Sequence, residues 1–159
     1  MYDGWMFIKS ILVIILLVLL GGFVRTAELG FFPEQSLFWS GRVPETLPEG
    51  VYKGTVRAYA FSWQGKKFAQ PSNSGINLFK GSNGVVGEQY PFATSVGLGV
   101  HDYETKVIRI DYNLSTNPLW LRPVLDEIVE ISPGHYLGKL ELRIVPYFPF
   151  TLTYFELQK

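Results

Sequence analysis

The chain has 159 residues with fourteen basic and fourteen acidic side chains, two histidines and no cysteine. Zero net charge argues against nucleic acid as the main partner, because phosphate binding needs a basic excess on one face. The missing thiols exclude a disulfide framework, thiolate catalysis and cysteine-ligated metal centres, and two histidines leave little for a metal site. Neither metal nor cofactor is expected.

In chain order, the first element is a membrane span. Trp5 to Val24 are twenty residues with a single charge, Lys9, and Ile11 to Leu20 form an unbroken aliphatic block. Twenty helical residues rise about 30 Å, roughly the hydrocarbon thickness of a bilayer. Tyr2 and Trp5 are expected at the interface, with the Lys9 ammonium reaching up to the headgroups along its butyl stem. A cleaved signal peptide is the rival, but Gly21-Gly22-Phe23-Val24-Arg25-Thr26-Ala27 offers no small-x-small cleavage site. Residues 1–24 are therefore read as a retained signal anchor. The flanking charges barely favour either orientation; an exported domain, on the extracytoplasmic (periplasmic) side, is expected by analogy with such anchors.

Residues 25–48 read as a connector, extended at Pro44 and Pro48. Its aromatic clusters, Phe31-Phe32 and Phe38-Trp39, are unusual for a free linker. They are expected to touch a membrane or a partner, or else to pack on the domain's own core.

From residue 49 to the end the pattern has period two, the signature of half-buried antiparallel strands. Strands are expected near 50–61, 66–69, 75–80, 85–97, 106–113, 125–132, 135–145 and 150–158. Gln64-Gly65, Gly81-Ser82-Asn83-Gly84, His101-Asp102, Ser115-Thr116-Asn117-Pro118 and Pro133-Gly134 separate them as turns. Eight strands without a helical period predict an all-β, antiparallel barrel, with a sandwich as the alternative.

Within this stretch, Gly50-Val51-Tyr52-Lys53-Gly54 and Trp63-Gln64-Gly65-Lys66-Lys67-Phe68 resemble the G-x-W-x-G and W-x-G-K-x-F segments of small lipocalin-like domains, with Tyr in place of the first Trp. Leu78-Phe79, Tyr136-Leu137-Gly138 and Tyr154-Phe155-Glu156-Leu157 follow in compatible places. The resemblance covers residues 48–159 and implies a barrel; it implies no catalytic residue.

Candidate chemistry is sparse. His101 and Asp102 fall in a turn, where capping is the ordinary role of Asp. His135 has outward parity. Asp126, Glu127 and Glu130 read as a solvated acidic face. No nucleophile, base and orienting group converge. By parity Tyr52, Tyr90, Thr94, Tyr112 and Tyr136 face inward, together with small residues Gly54, Ala58, Ala60 and Gly138. Such an interior is either solid or a pocket for an apolar or aromatic small molecule. The segments around Trp120, Arg122, Tyr147 and Phe148 are too apolar for solvated loops. They mark either partner contacts or plugs for the barrel ends. The sequence thus predicts a non-enzymatic, single-span accessory subunit that docks on other integral membrane subunits, with a lipocalin-like carrier as the alternative.

Overall fold

A computed structural model describes residues 4–56, 62–145 and 147–159. A helix, α1 (Gly4–Gly30), leads into a shorter one, α2 (Pro33–Ser40). Eight strands follow: β1 (Gly50–Val56), β2 (Trp63–Ala69), β3 (Ser74–Lys80), β4 (Val86–Leu98), β5 (Lys106–Asp111), β6 (Val124–Ser132), β7 (His135–Leu142) and β8 (Phe150–Gln158). Each strand pairs antiparallel with its sequence neighbour, and β1 pairs with β8, so the sheet closes into an up-and-down barrel. Closure removes both edges of the sheet.

All eight expected strands are present, and the sandwich is excluded. The end of the first expected strand, with Ala58 and Ala60, lies outside the described residues, as does Tyr2. Gln64-Gly65 is not a turn. β2 begins at Trp63, and the register shifts between Trp63 and Gly65 in a bulge. Gly65 has φ 128°, and a Cβ there would stand 2.0 Å from the Tyr52 carbonyl oxygen, so only glycine fits the bulge.

Two apolar clusters form. The inner one fills the barrel with Tyr52, Phe68, Phe92, Ile108, Ile110, Tyr112, Ile128, Tyr136, Phe155 and Leu157. Leu121 enters from the β5–β6 loop, and Val43 and Leu47 pack against the cluster from the segment before β1. The outer cluster lies between the barrel wall and the two helices. There Leu29 and Phe38 cover Val107, Val129, Leu137 and Tyr154.

This second cluster bears out, for Phe38, the expectation that residues 25–48 pack on the domain's own core, and it shows that much of the stretch is helical. The apolar run ends near Val24, but the helix continues to Gly30, because Arg25, Thr26, Ala27, Glu28 and Leu29 tolerate or favour helix and Arg25 pairs with Glu28 at 2.8 Å. Pro33 then starts α2 at a position where no backbone donor is needed, and Glu34 supplies negative charge in its first turn. Phe38, for which the other expectation was a contact surface, is completely buried against the barrel wall.

Candidate functional site

One helix, Trp5–Gly30, is long and apolar enough to cross a membrane, with mean hydropathy 2.8 over its best window. Its apolar side chains from Trp5 to Leu20 are exposed, save half-buried Leu19, and the Lys9 ammonium lies 5.3 Å from the Trp5 ring centroid. Beyond Gly21 the same helix docks on β8. Gly22 sits against the Phe150 ring, where a Cβ would come within 2.8 Å of ring carbons. Phe23 stacks against Phe148 and Phe150, with centroids at 4.6 and 5.2 Å. The Arg25 side chain donates to the Leu152 carbonyl, and the Thr151 amide donates to the Thr26 hydroxyl at 3.0 Å. The Tyr154 hydroxyl donates to Gln35 Oε1 at 2.6 Å. Span and barrel are thus joined by a helix with packed and hydrogen-bonded contacts on the barrel wall.

Outside the barrel, beneath the β4–β5 loop, is a buried polar cluster. Asp102 accepts from Gln35, from Trp39 and from the Lys139 ammonium. That ammonium also lies 4.4 Å above the Phe38 ring. Glu127 accepts from the Val100 amide at 2.9 Å, and Glu141 accepts from the Thr151 hydroxyl at 3.0 Å. His101 Nε2 pairs with the Pro149 carbonyl oxygen at 2.8 Å and stands 3.7 Å from Glu141. Glu127 and Glu141 have no exposed surface. Burial pushes the Glu127 carboxyl up to about 7, against pulls from the Val100 amide, Arg109 and Lys139. Burial, reinforced by Glu127, pushes Glu141 up to about 8. Burial also lowers His101. The expectation of a solvated acidic face is overturned for Asp126 and Glu127. Outward parity at Glu127 leads under α2 and the β4–β5 loop, while Asp126 points into the barrel. His101 and Asp102 do more than cap a turn, since they tie the loop to β7, β8 and α2.

Inside the barrel, the Lys66 ammonium donates to Asp126 at 2.8 Å and to Asn77 at 2.9 Å, and bonds the Tyr112 hydroxyl. Trp63, Phe92, Tyr112 and Phe155 surround it, with ring centroids 5.2 to 5.4 Å away. Burial lowers the lysine against the upward pull of Asp126, and raises the Tyr112 hydroxyl well above its ordinary value. Sequence reading missed Lys66, Asn77 and Asp126. Lys66 shares parity with buried Phe68, the one sequence sign of its inward place, whereas Asn77 lies between Ile76 and Leu78, where period two points it outward.

The expected interior residues take three kinds of place. Tyr52, Tyr112 and Tyr136 are buried in the inner cluster, and Tyr52 and Tyr136 meet edge to face at 5.5 Å. Tyr90 is half-buried in left-handed backbone, φ 58°, with its ring between Phe79 and Trp120. Thr94 is buried, its hydroxyl without a hydrogen-bond partner among the described residues. The room expected beside Gly54 and Gly138 is filled. A Cβ would stand 2.4 Å from the Trp63 ring at the first and 2.3 Å from Phe155 at the second. Small residues here seat large rings.

The expected contact residues divide likewise. Phe31, Trp39, Trp120 and Tyr147 are well exposed and Phe148 is 36% exposed, whereas Phe32 is half-buried against the outer cluster. Arg122 is turned back onto its own loop, donating to the Asn117 and Ser115 carbonyls. His135, outward as expected, bonds Glu156 at 2.8 Å.

No protein-family model matches the chain, and no curated protein matches its sequence. Among solved structures, the crystal structure of a protein from Thermomonospora curvata matches with TM-score 0.57 and 15% identity, covering 79% of this chain and 84% of that one. At that identity the likeness is one of fold, and the class defined is a small closed β-barrel carrying an N-terminal apolar helix.

Proposed function

We propose that the chain is a non-enzymatic, single-span accessory subunit of a membrane protein complex, with its barrel on the extracytoplasmic side and docked on other integral subunits. The observation that carries this reading is the joint. A tethered binder that must reach its ligand gains from a flexible Gly/Ser-type linker. Here residues 22–29 are helical and bound to β8, which suits a domain held at one height and angle over its neighbours. The apolar helix offers lipids or partner helices most of its length, and exposed Trp39 and Phe31 are aromatic, a residue type enriched at protein interfaces. The rings over Gly54 and Gly138 weigh against the carrier alternative. Extraction in mild detergent followed by mass spectrometry should yield stoichiometric integral membrane partners. Recovery of a clean monomer after gentle extraction would contradict the proposal.

A further inference from the structure

We propose that the end of the barrel from which α1 departs is itself a bilayer-binding surface, with Leu119, Trp120, Ile144, Tyr147 and Phe148 seated in the interfacial layer beside the span. This rests on the reading of α1 as a membrane anchor and adds a second point of membrane contact.

Direction comes first. Gly22 lies against Phe150, Arg25 against Leu152, and Leu29 near Tyr154, so α1 runs parallel to β8. Residues before Gly22 therefore leave past the start of β8. In an antiparallel barrel the β3–β4, β5–β6 and β7–β8 connections all open at that same end. The last two are fastened together, since the Arg143 amide donates to the Pro123 carbonyl at 2.9 Å.

Chemistry follows. At this end Val85 is 63% exposed, Leu119 77%, Trp120 65%, Ile144 46% and Tyr147 fully so. Its loops, residues 81–85, 113–123 and 143–149, contain no carboxylate; Arg143 pairs with Asp111 at the end of β5 at 2.6 Å, and Arg122 donates to the carbonyls of its own loop. The opposite end carries Gln70-Pro71-Ser72-Asn73, Pro133-Gly134 and Gln158-Lys159; exposed Tyr103, Trp39 beside it, Leu98 and Val51 are its larger apolar residues, scattered over the β4–β5 loop, α2 and the ends of β4 and β1. The loops that are apolar and free of carboxylates thus lie at one end, and the apolar helix emerges from it. Exposed apolar patches of this kind mark contact sites. Tyr147 adds an independent sign. It is a bulky residue at φ 63°, which costs about 1–3 kcal/mol and holds its ring wholly outside the domain.

Height selects the occupant. From Trp5 to Phe23 the helix rises about 27 Å, so the Phe23–Phe148–Phe150 contact lies near the second headgroup layer. Trp and Tyr favour that layer. A partner protein would have to displace the membrane that the chain's own helix places there.

Because the natural chain lacks cysteine, single sites can be labelled cleanly. The full chain with Ile15→Cys, Leu119→Cys, Tyr147→Cys or Ser72→Cys would carry an environment-sensitive fluorophore in phosphatidylcholine vesicles, with or without lipids bearing nitroxides at shallow and at mid-chain depth, the deeper one matched to site 15 near the bilayer centre. Labels at 15, 119 and 147 should lose roughly half their emission to lipid-borne quencher, and the label at 72 almost none. Quenching at 15 with 119 and 147 behaving like 72 would overturn the proposal while leaving the anchor standing. No quenching at 15 would sink both. Shielding of 119 and 147 from lipid quencher and aqueous iodide alike would assign the surface to a protein and overturn it. As a check free of labels, brominated lipid should quench tryptophan emission less in Trp120→Phe than in the wild type, and equal quenching would count against the idea.

Discussion

At the scale of single residues, the most consequential choice is Lys66. An ammonium inside an aromatic barrel is tolerated because Asp126, Asn77 and Tyr112 satisfy it and four rings face it. Removing one partner of a buried pair leaves an uncompensated charge, typically worth about 3–5 kcal/mol, whereas replacing both with apolar groups is often neutral. Asp126→Ala should therefore destabilise the chain by about that much in urea unfolding, and Lys66→Met with Asp126→Leu should recover most of it. A double variant no better than Asp126→Ala would show that the pair is not the reason. A packing counterpart is Gly138→Ala, whose Cβ would stand 2.3 Å from the immovable Phe155 ring. Overpacking of that kind should cost about 1–3 kcal/mol. The inward tyrosines were legible because period two assigns faces reliably once a strand is known. Lys66 was not, since its charge reads as solvent-facing until a carboxylate from a strand 60 positions away is brought to it.

At the scale of elements, the strand pattern was legible almost to its boundaries, and the helices covering the wall were not. Alternation reports two faces of a strand; it does not say that α2 and the β4–β5 loop will bury the outer one. Glu127 and Glu141 are the consequence. Both carboxyls sit near or above neutrality when folded, at about 7 and 8, against an ordinary 4.5. The folded chain thus holds protons that the unfolded chain has already released, so these groups stabilise fully below about pH 4.5 and lose that contribution as pH rises toward 8. His101 works in the opposite sense: burial lowers it, so the unfolded chain takes up its proton first and stability is lost below the ordinary histidine value. The urea midpoint should accordingly fall between pH 6.5 and 8, and Glu141→Gln should flatten the decline. A midpoint that rises over that interval would contradict the protonation scheme. The joint makes a separate prediction. Leu29 is 2% exposed and sits between α2 and the barrel wall. Leu29→Ala should cost about 2–5 kcal/mol in unfolding of the full chain, far more than truncating an exposed span residue.

For the whole molecule, an apolar helix and a closed barrel were both readable from residue patterns, while their attachment was not. The twenty-residue apolar run marks where lipid ends, and nothing in residues 25–30 announces that the helix goes on. Yet the helix carries on for another turn and a half into polar sequence, and Thr26, Arg25 and Leu29 exchange solvent for β8 and its neighbours. Such a joint makes height and angle over the bilayer a property of the fold, on which both the subunit reading and the membrane-facing barrel end depend. The direct measurement is a distance between nitroxides at Leu17→Cys in the helix and Ser72→Cys on the far end of the barrel, by pulsed electron double resonance in vesicles. A single narrow distance distribution is predicted, broadening when Leu29→Ala is added. A broad distribution in the otherwise native chain would mean that the barrel swings on its anchor, and would contradict the account.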